Sequence, residues 1–201
     1  MNYKLDKAFY TQPDVVSISK QLLGKCLVTY IDNQICKGII VETEAYCGAT
    51  DKACHAHLNR RTKRTEIMFQ EGGKAYVYLC YGIHSLFNIV TNTEGNADAV
   101  LIRAVEPIEG IEAMLQRRKM TKANTRLTAG PGVMSKALGI STHHYGTALT
   151  GNQIWIEDQG TVISENEIIA SPRVGIDYAE EDALLPWRFR IKGNKWTSPA
   201  K

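Results

Sequence analysis

The sequence predicts a mixed α/β (α+β) fold: one compact domain over residues 1–201, with a mainly antiparallel curved sheet, flanking helices and a protruding β-hairpin. Three observations point there. Most apolar segments alternate with a period of two and are joined by short turns, the mark of hairpins and antiparallel pairing. A smaller set of segments carries helical spacing or helix start and stop residues. The chain has 201 residues, 44% of them hydrophobic, enough for one sizeable core, and no repeat, low-complexity tract or linker divides it.

Taken in order, "PDVVSISKQLLG" is predicted to be a helix. Pro13 and Asp14 suit its first turn, Val15, Ile18, Leu22 and Leu23 follow helical spacing, and Gly24 ends it. "CLVTYI" and "KGIIVETEAY" flank "DNQ" as the arms of a hairpin. Residues 48–73 are polar, basic and long for a loop, which favours a functional role or short helical turns. "KAYVYLCYGIHSLFNIVTN" reads as strand, turn at Tyr81–Gly82, strand. "AVLIRAVEP" is an apolar strand ending at Pro107, and "IEGIEAMLQRR" places Ile108, Ile111 and Leu115 on one helical face. "AGPGVMSKALGI" has Pro131 near a helix start and Gly139 near its stop. "QIWIE", "PRVGID" and "WRFRIKG" are predicted as short closing strands.

Composition excludes several function classes. No apolar run approaches the roughly 20 residues that span a bilayer. The first residues lack the basic start and apolar run of a signal peptide, so a cytoplasmic protein is expected, nucleoid-associated in a bacterium. Five cysteines, an odd number, do not suggest a secreted disulfide framework. Cys47, Cys54, His55 and His57 match no common zinc spacing, and neither metal nor cofactor is expected. Net charge is only +3, but "NRRTKR" (59–64) and "QRRKMTKANTR" (116–126) concentrate it. Two such stretches suit a phosphate-binding face; they also suit two solvated loops.

Two features could carry chemistry. In "VETEAYCG" (41–48), Glu42 and Glu44 lie two apart and share one face of a regular strand. Either could be a solvated strand residue or a catalytic carboxylate, and the strand pattern does not choose between them. Tyr46, His55, Tyr78 and Tyr81 are flat rings near turns, with the basic run 60–64 among them. Rings beside cations are what an unstacked base and its phosphates require. Tyrosines are also ordinary strand formers, but Tyr81 precedes Gly82 at a hairpin tip, where a ring gains little burial.

Seven segments, "VETEAYCG", "DKACHA", "MF", "YVYLCYGIHSLFNIV", "VLIRAVEP", "AGPG" and "RVGI", resemble in that order the alkyladenine (methylpurine-type 3-methyladenine) DNA glycosylase family. The resemblance runs from about Lys20 to Trp196. It implies a base-excision repair enzyme that flips alkylated or deaminated purines from double-stranded damaged DNA and hydrolyses the N-glycosidic bond. It assigns Glu44 to activating the attacking water, Arg103 to a place near that water and the backbone phosphate, and the Val174 carbonyl to the water. Tyr46, His55 and Tyr78 would wall the base pocket, Asn88 would screen against guanine's exocyclic amine, and Tyr81 would fill the gap left in the duplex. Arg60, Arg61, Lys63 and Arg64 are the candidates for the DNA backbone. Glu42 falls to a structural role.

These roles agree with elementary chemistry. A base must leave the stack before it can be attacked, at a cost of roughly a few kcal/mol. Aromatic walls suit cationic N3- or N7-alkylated purines, and a carboxylate can activate water and stabilise oxocarbenium-like charge. Some positions depart or stay unassigned. His84 stands where family members can carry a tyrosine, Cys54 and Cys80 read as packing thiols, and His57, His143 and His144 read as surface residues. Neither Lys52 nor Lys74 sits in a matching catalytic position, so a monofunctional glycosylase without strand cleavage is expected; a monomer is expected as well. The competing readings are a nucleic-acid binder that has lost catalysis and a nucleoside hydrolase using both carboxylates. Glu44 with Arg103 argues against the first, Tyr81 and the basic runs against the second.

Overall fold

The computed structural model describes residues 3–199, so Met1, Asn2, Ala200 and Lys201 at the ends of the expected domain lie outside the described residues. In chain order the strands are β1 (Tyr3–Lys4), β2 (Cys26–Ile31), β3 (Gln34–Tyr46), β4 (Ala75–Cys80), β5 (His84–Thr91), β6 (Asp98–Glu109), β7 (Ile154–Asp158), β8 (Ile168–Ser171) and β9 (Arg188–Ile191). The α-helices are α1 (Lys7–Tyr10), α2 (Val15–Gln21), α3 (Ile111–Arg118) and α4 (Pro131–Leu138), with several 3-10 turns between elements. All pairings between these strands are antiparallel, in the order β1-β7-β2-β3-β6-β5-β4, with β9 on β3 and β8 on β9.

The local chemistry behind these elements is plain. Asp14 caps α2 by accepting the amides of Val16 and Ser17, and Gly24 continues the chain at φ +81°. Asp32 and Asn33 both take positive φ at the β2–β3 turn, as a tight twisted hairpin demands. Pro131 opens α4, and Gly139 closes it in the left-handed region. The apolar faces of α2, α3, α4 and the sheet bury Ile18, Leu22, Leu27, Ile40, Phe87, Met134 and Phe189 in one main core.

One feature of the sheet creates the site. β3 is 13 residues long, and its partners change along its length. β2 covers residues 34–39 on one side, β9 covers 42–44 on that side, and β6 runs along the other. The register shifts between Ile40 and Glu42 and again before Thr43, bulges that bend a strand. Glu42 and Glu44 thus lie in mid-sheet, with Arg103 of β6 and Arg188 of β9 beside them.

Several expectations are corrected. "PRVGID" is not a strand: the ladder ends at Ser171 and a turn follows, because Arg173 points inward to an ion pair. β6 runs past Pro107 to Glu109, since Pro107 faces only β3, beside a register shift, where its missing N–H costs little. That shortens the following helix to Ile111–Arg118. His144 is not a surface residue: it is buried, and its Nδ1 accepts the Ser141 amide at 3.0 Å. The second basic stretch also loses a cation, because Arg117 binds the carbonyls of Ile31 and Ala137.

Candidate active site

A cleft of about 660 Å³ lies between the carboxylate end of β3, the β4–β5 hairpin, the start of α4 and the turn after β8. Of the expected site residues, it brings together Glu44, Arg103, Val174, Tyr46, His55, Tyr78, Asn88, Tyr81 and Arg64.

Glu44 forms the floor. Its side chain is fully buried, which for a carboxylate requires partners. Oε1 accepts the Val174 amide at 3.0 Å and lies 3.2 Å from Arg103 Nη1. Oε2 accepts the Tyr46 hydroxyl at 2.7 Å. Burial, and then the carboxylate beside it, push the Tyr46 phenol well above its usual range, so it stays protonated and donates. Val174 therefore meets Glu44 through its N–H, alongside the carbonyl function that the resemblance implies.

Glu42 is structural, and more deeply built in than a surface residue. It is buried and ion-paired to both Arg103 and Arg188 at 2.8 Å. Burial alone would raise its carboxyl, but Arg103, Ser198 and Arg188 outweigh that and hold it below the ordinary carboxylate range.

The walls are aromatic. His55 packs edge-on against Tyr78 with centroids 4.7 Å apart. Its Nδ1 is 2.8 Å from the Tyr76 hydroxyl, and its Nε2 is 3.0 Å from Arg64 Nη2. A guanidinium only donates, so Nε2 is the bare nitrogen and Nδ1 carries the proton toward Tyr76. Burial and then Arg64 lower the His55 pKa to about 4, so the ring is neutral near pH 7. Below pH 6.5 the unfolded chain takes up this proton and the folded chain does not until about pH 4, so His55 costs stability progressively as pH falls through that window. In His55→Gln, the fall of the melting temperature between pH 7 and pH 4 is expected to be shallower than in the wild type.

Asn88 is buried, and its Nδ2 donates to the carbonyls of Tyr76 and Leu86, which fixes the side chain against the cleft. Tyr81 is the opposite case: 88% exposed, at φ +51° and followed by Gly82 at +73°. The left-handed region costs a non-glycine residue of order 1 kcal/mol, and burial offsets none of it here. Arg60, Arg61, Lys63 and Arg64 are all exposed; Arg61 stacks on Phe69, and Arg64 lies 4.7 Å over Tyr78.

Several contributors were missed. Tyr76 and Tyr178 also line the cleft; the spacing of Tyr76 two before Tyr78 was an available signal. Arg173 lies 4.7 Å over the Tyr46 ring and binds Asp51, both side chains fully buried. Ser198 closes the cluster under Glu42. Asp51 and Arg173 open "DKACHA" and "RVGI" without any local sign that they pair, and no period or motif marks Ser198.

The methylpurine-DNA glycosylase family model matches residues 8–195. The chain belongs to the methylpurine-DNA glycosylase family. It is thus a DNA N-glycosylase, a hydrolase of N-glycosyl bonds acting in DNA repair. Among its relatives, an Alkaliphilus oremlandii protein is 47% identical, covering 97% of this chain and 98% of its own. A Chlamydia felis protein is 45% identical over 95% and 97% of the two chains, and a Bacillus thuringiensis protein is 44% identical over 95% and 97%. All three bear the name "Putative 3-methyladenine DNA glycosylase". Among the described residues, no helix is long and apolar enough to cross a membrane, and no cluster of three or more His, Cys, Asp or Glu could hold a metal ion.

Proposed function

We propose that this glycosylase acts as a monomer on double-stranded DNA and excises alkylated or deaminated purines of the 3-methyladenine, 7-methylguanine, hypoxanthine and ethenoadenine type. Tyr81 enters the duplex as the damaged nucleotide leaves it. The base stacks among Tyr46, His55 and Tyr78, and Asn88 excludes guanine's amine by bulk. Glu44 takes a proton from a water whose oxygen attacks C1′. The C1′–N bond breaks with its electron pair going to the base, and an abasic site remains. The Val174 carbonyl helps hold the water, and Arg60, Arg61, Lys63 and Arg64 face the phosphates. The observation that supports this most is a buried carboxylate at the floor of an aromatic cleft, held by Arg103, Tyr46 and Val174.

The test is base release from duplexes carrying each lesion, beside undamaged duplex and free methylated nucleosides. Release from damaged duplexes alone is expected, with strands broken only after alkali. Cleavage of the nucleosides would favour a small-substrate hydrolase.

Tyr81→Ser is expected to weaken binding to a lesion duplex about tenfold, since a stacked ring contributes roughly 1–3 kcal/mol. Unchanged affinity would remove Tyr81 from flipping. Binding weakens with salt, and each of Arg60→Gln and Lys63→Gln is expected to reduce the slope of log K against log salt by about 1.

A further inference from the structure

Beneath the cleft lies a buried cluster that the proposed reaction does not use directly. Glu42 Oε1 accepts from Nε of Arg103 and Nε of Arg188, each at 2.8 Å, and from Ser198 Oγ at 2.7 Å. Its Oε2 accepts the Ser198 amide. Ser198 Oγ in turn accepts from Nη2 of Arg103 at 3.3 Å and Nη2 of Arg188 at 3.2 Å. A hydroxyl has one proton and two lone pairs, and this one uses all three. Two carboxylates, Glu42 and Glu44, balance two guanidiniums, so no net charge is buried.

We propose that Ser198 is a positioning residue for hydrolysis: through Glu42 and Arg103 it holds the guanidinium that steadies Glu44. The proposal rests on the reading of Glu44 as the water-activating carboxylate. Arg103 is gripped at all three nitrogens, Nε on Glu42, Nη2 on Ser198 and Nη1 at 3.2 Å from Glu44. The Nε contact alone would leave a pivot. The Ser198 contact stops rotation about it, and Nη1 is then held at ion-pair distance from Glu44. Arg188 does not depend on the hydroxyl to the same degree, because its Nη2 also donates to the Ser198 carbonyl at 3.1 Å. Losing the hydroxyl therefore falls mainly on Arg103, the one arginine of the cluster that reaches Glu44. The serine lies 95 residues away from Arg103 in sequence and is not itself part of the cleft lining.

Ser198→Ala, Ser198→Thr and Glu44→Gln are to be compared with wild type in single-turnover release of methylated purines from dimethyl-sulfate-treated duplex DNA. Affinity for the same DNA and melting curves are measured in parallel, with rates taken where each variant is folded. Ser198→Ala is expected to slow release about tenfold, as small misplacements of catalytic groups do, with affinity within about twofold of wild type. Ser198→Thr keeps the hydroxyl and is expected to recover most of the rate. A wild-type rate in Ser198→Ala, a parallel loss of rate and affinity, or a threonine variant as slow as the alanine one overturns the proposal. If Glu44→Gln is inactive in that same experiment, the reading of Glu44 survives such a result. An active Glu44→Gln overturns the underlying reading instead.

Discussion

Glu44→Gln is expected to lower single-turnover excision by about a thousandfold or more, within the range that a positioned general base supplies, while lesion-duplex affinity changes little. Glutamine keeps the shape but cannot take the proton from water. The change also has a structural cost. Two donors and a cation converge on Glu44: the Tyr46 hydroxyl, the Val174 amide and, at ion-pair distance, Arg103 Nη1. Glutamine offers one oxygen and no charge, so the buried Tyr46 hydroxyl loses its acceptor and Arg103 one anionic partner, at about 1–3 kcal/mol. A melting curve taken beside the kinetics separates that loss from the loss of chemistry. Excision near the wild-type rate would show that the water is activated elsewhere.

Removing the neighbouring carboxylate is expected to act on stability instead. Glu42→Ala leaves Arg103 and Arg188 buried without their shared partner, and breaking a buried pair on one side costs about 3–5 kcal/mol. Against a total of about 5–15 kcal/mol for a typical domain, that is a large shift in the urea midpoint. A change under about 1 kcal/mol would mean that water or Ser198 compensates. Acid should expose the same interaction. The Glu42 carboxyl is held below its ordinary value of 4.5 in the folded chain. Its contribution is therefore present above pH 4.5 and lost as pH falls through the lower, folded value. In Glu42→Ala this part of the acid sensitivity should be missing.

The two carboxylates show where a sequence stops being informative. Their spacing put both on one face of β3, correctly, because a strand's two-residue period is local. Nothing local distinguished Glu42, with Arg188 and Ser198 beneath it, from Glu44, with Tyr46 and Val174 above it. The family resemblance made that assignment, and the ion-pair geometry is consistent with it. Hairpins, helix stops and the Tyr81–Gly82 turn were legible for the same local reason: positive φ, capping oxygens and apolar periodicity are written in neighbouring residues. "PRVGID" was misread because its apolar residues alternate like a strand, while Arg173 is drawn inward by Asp51, far off in the chain.

By itself, then, the chain determined its period-two strands, its hairpin turns and the placing of rings beside basic residues, all features set over a few residues. Only the tertiary structure decided that β9 replaces β2 beside β3 at Glu42, that Arg103 sits between two carboxylates, and that Ser198 completes the cluster. Those outcomes depend on burial. A charge taken out of water must find its partner wherever the fold brings one, and that choice is made by packing across 61 residues of sequence for Arg103 and Glu42 and 156 for Ser198 and Glu42.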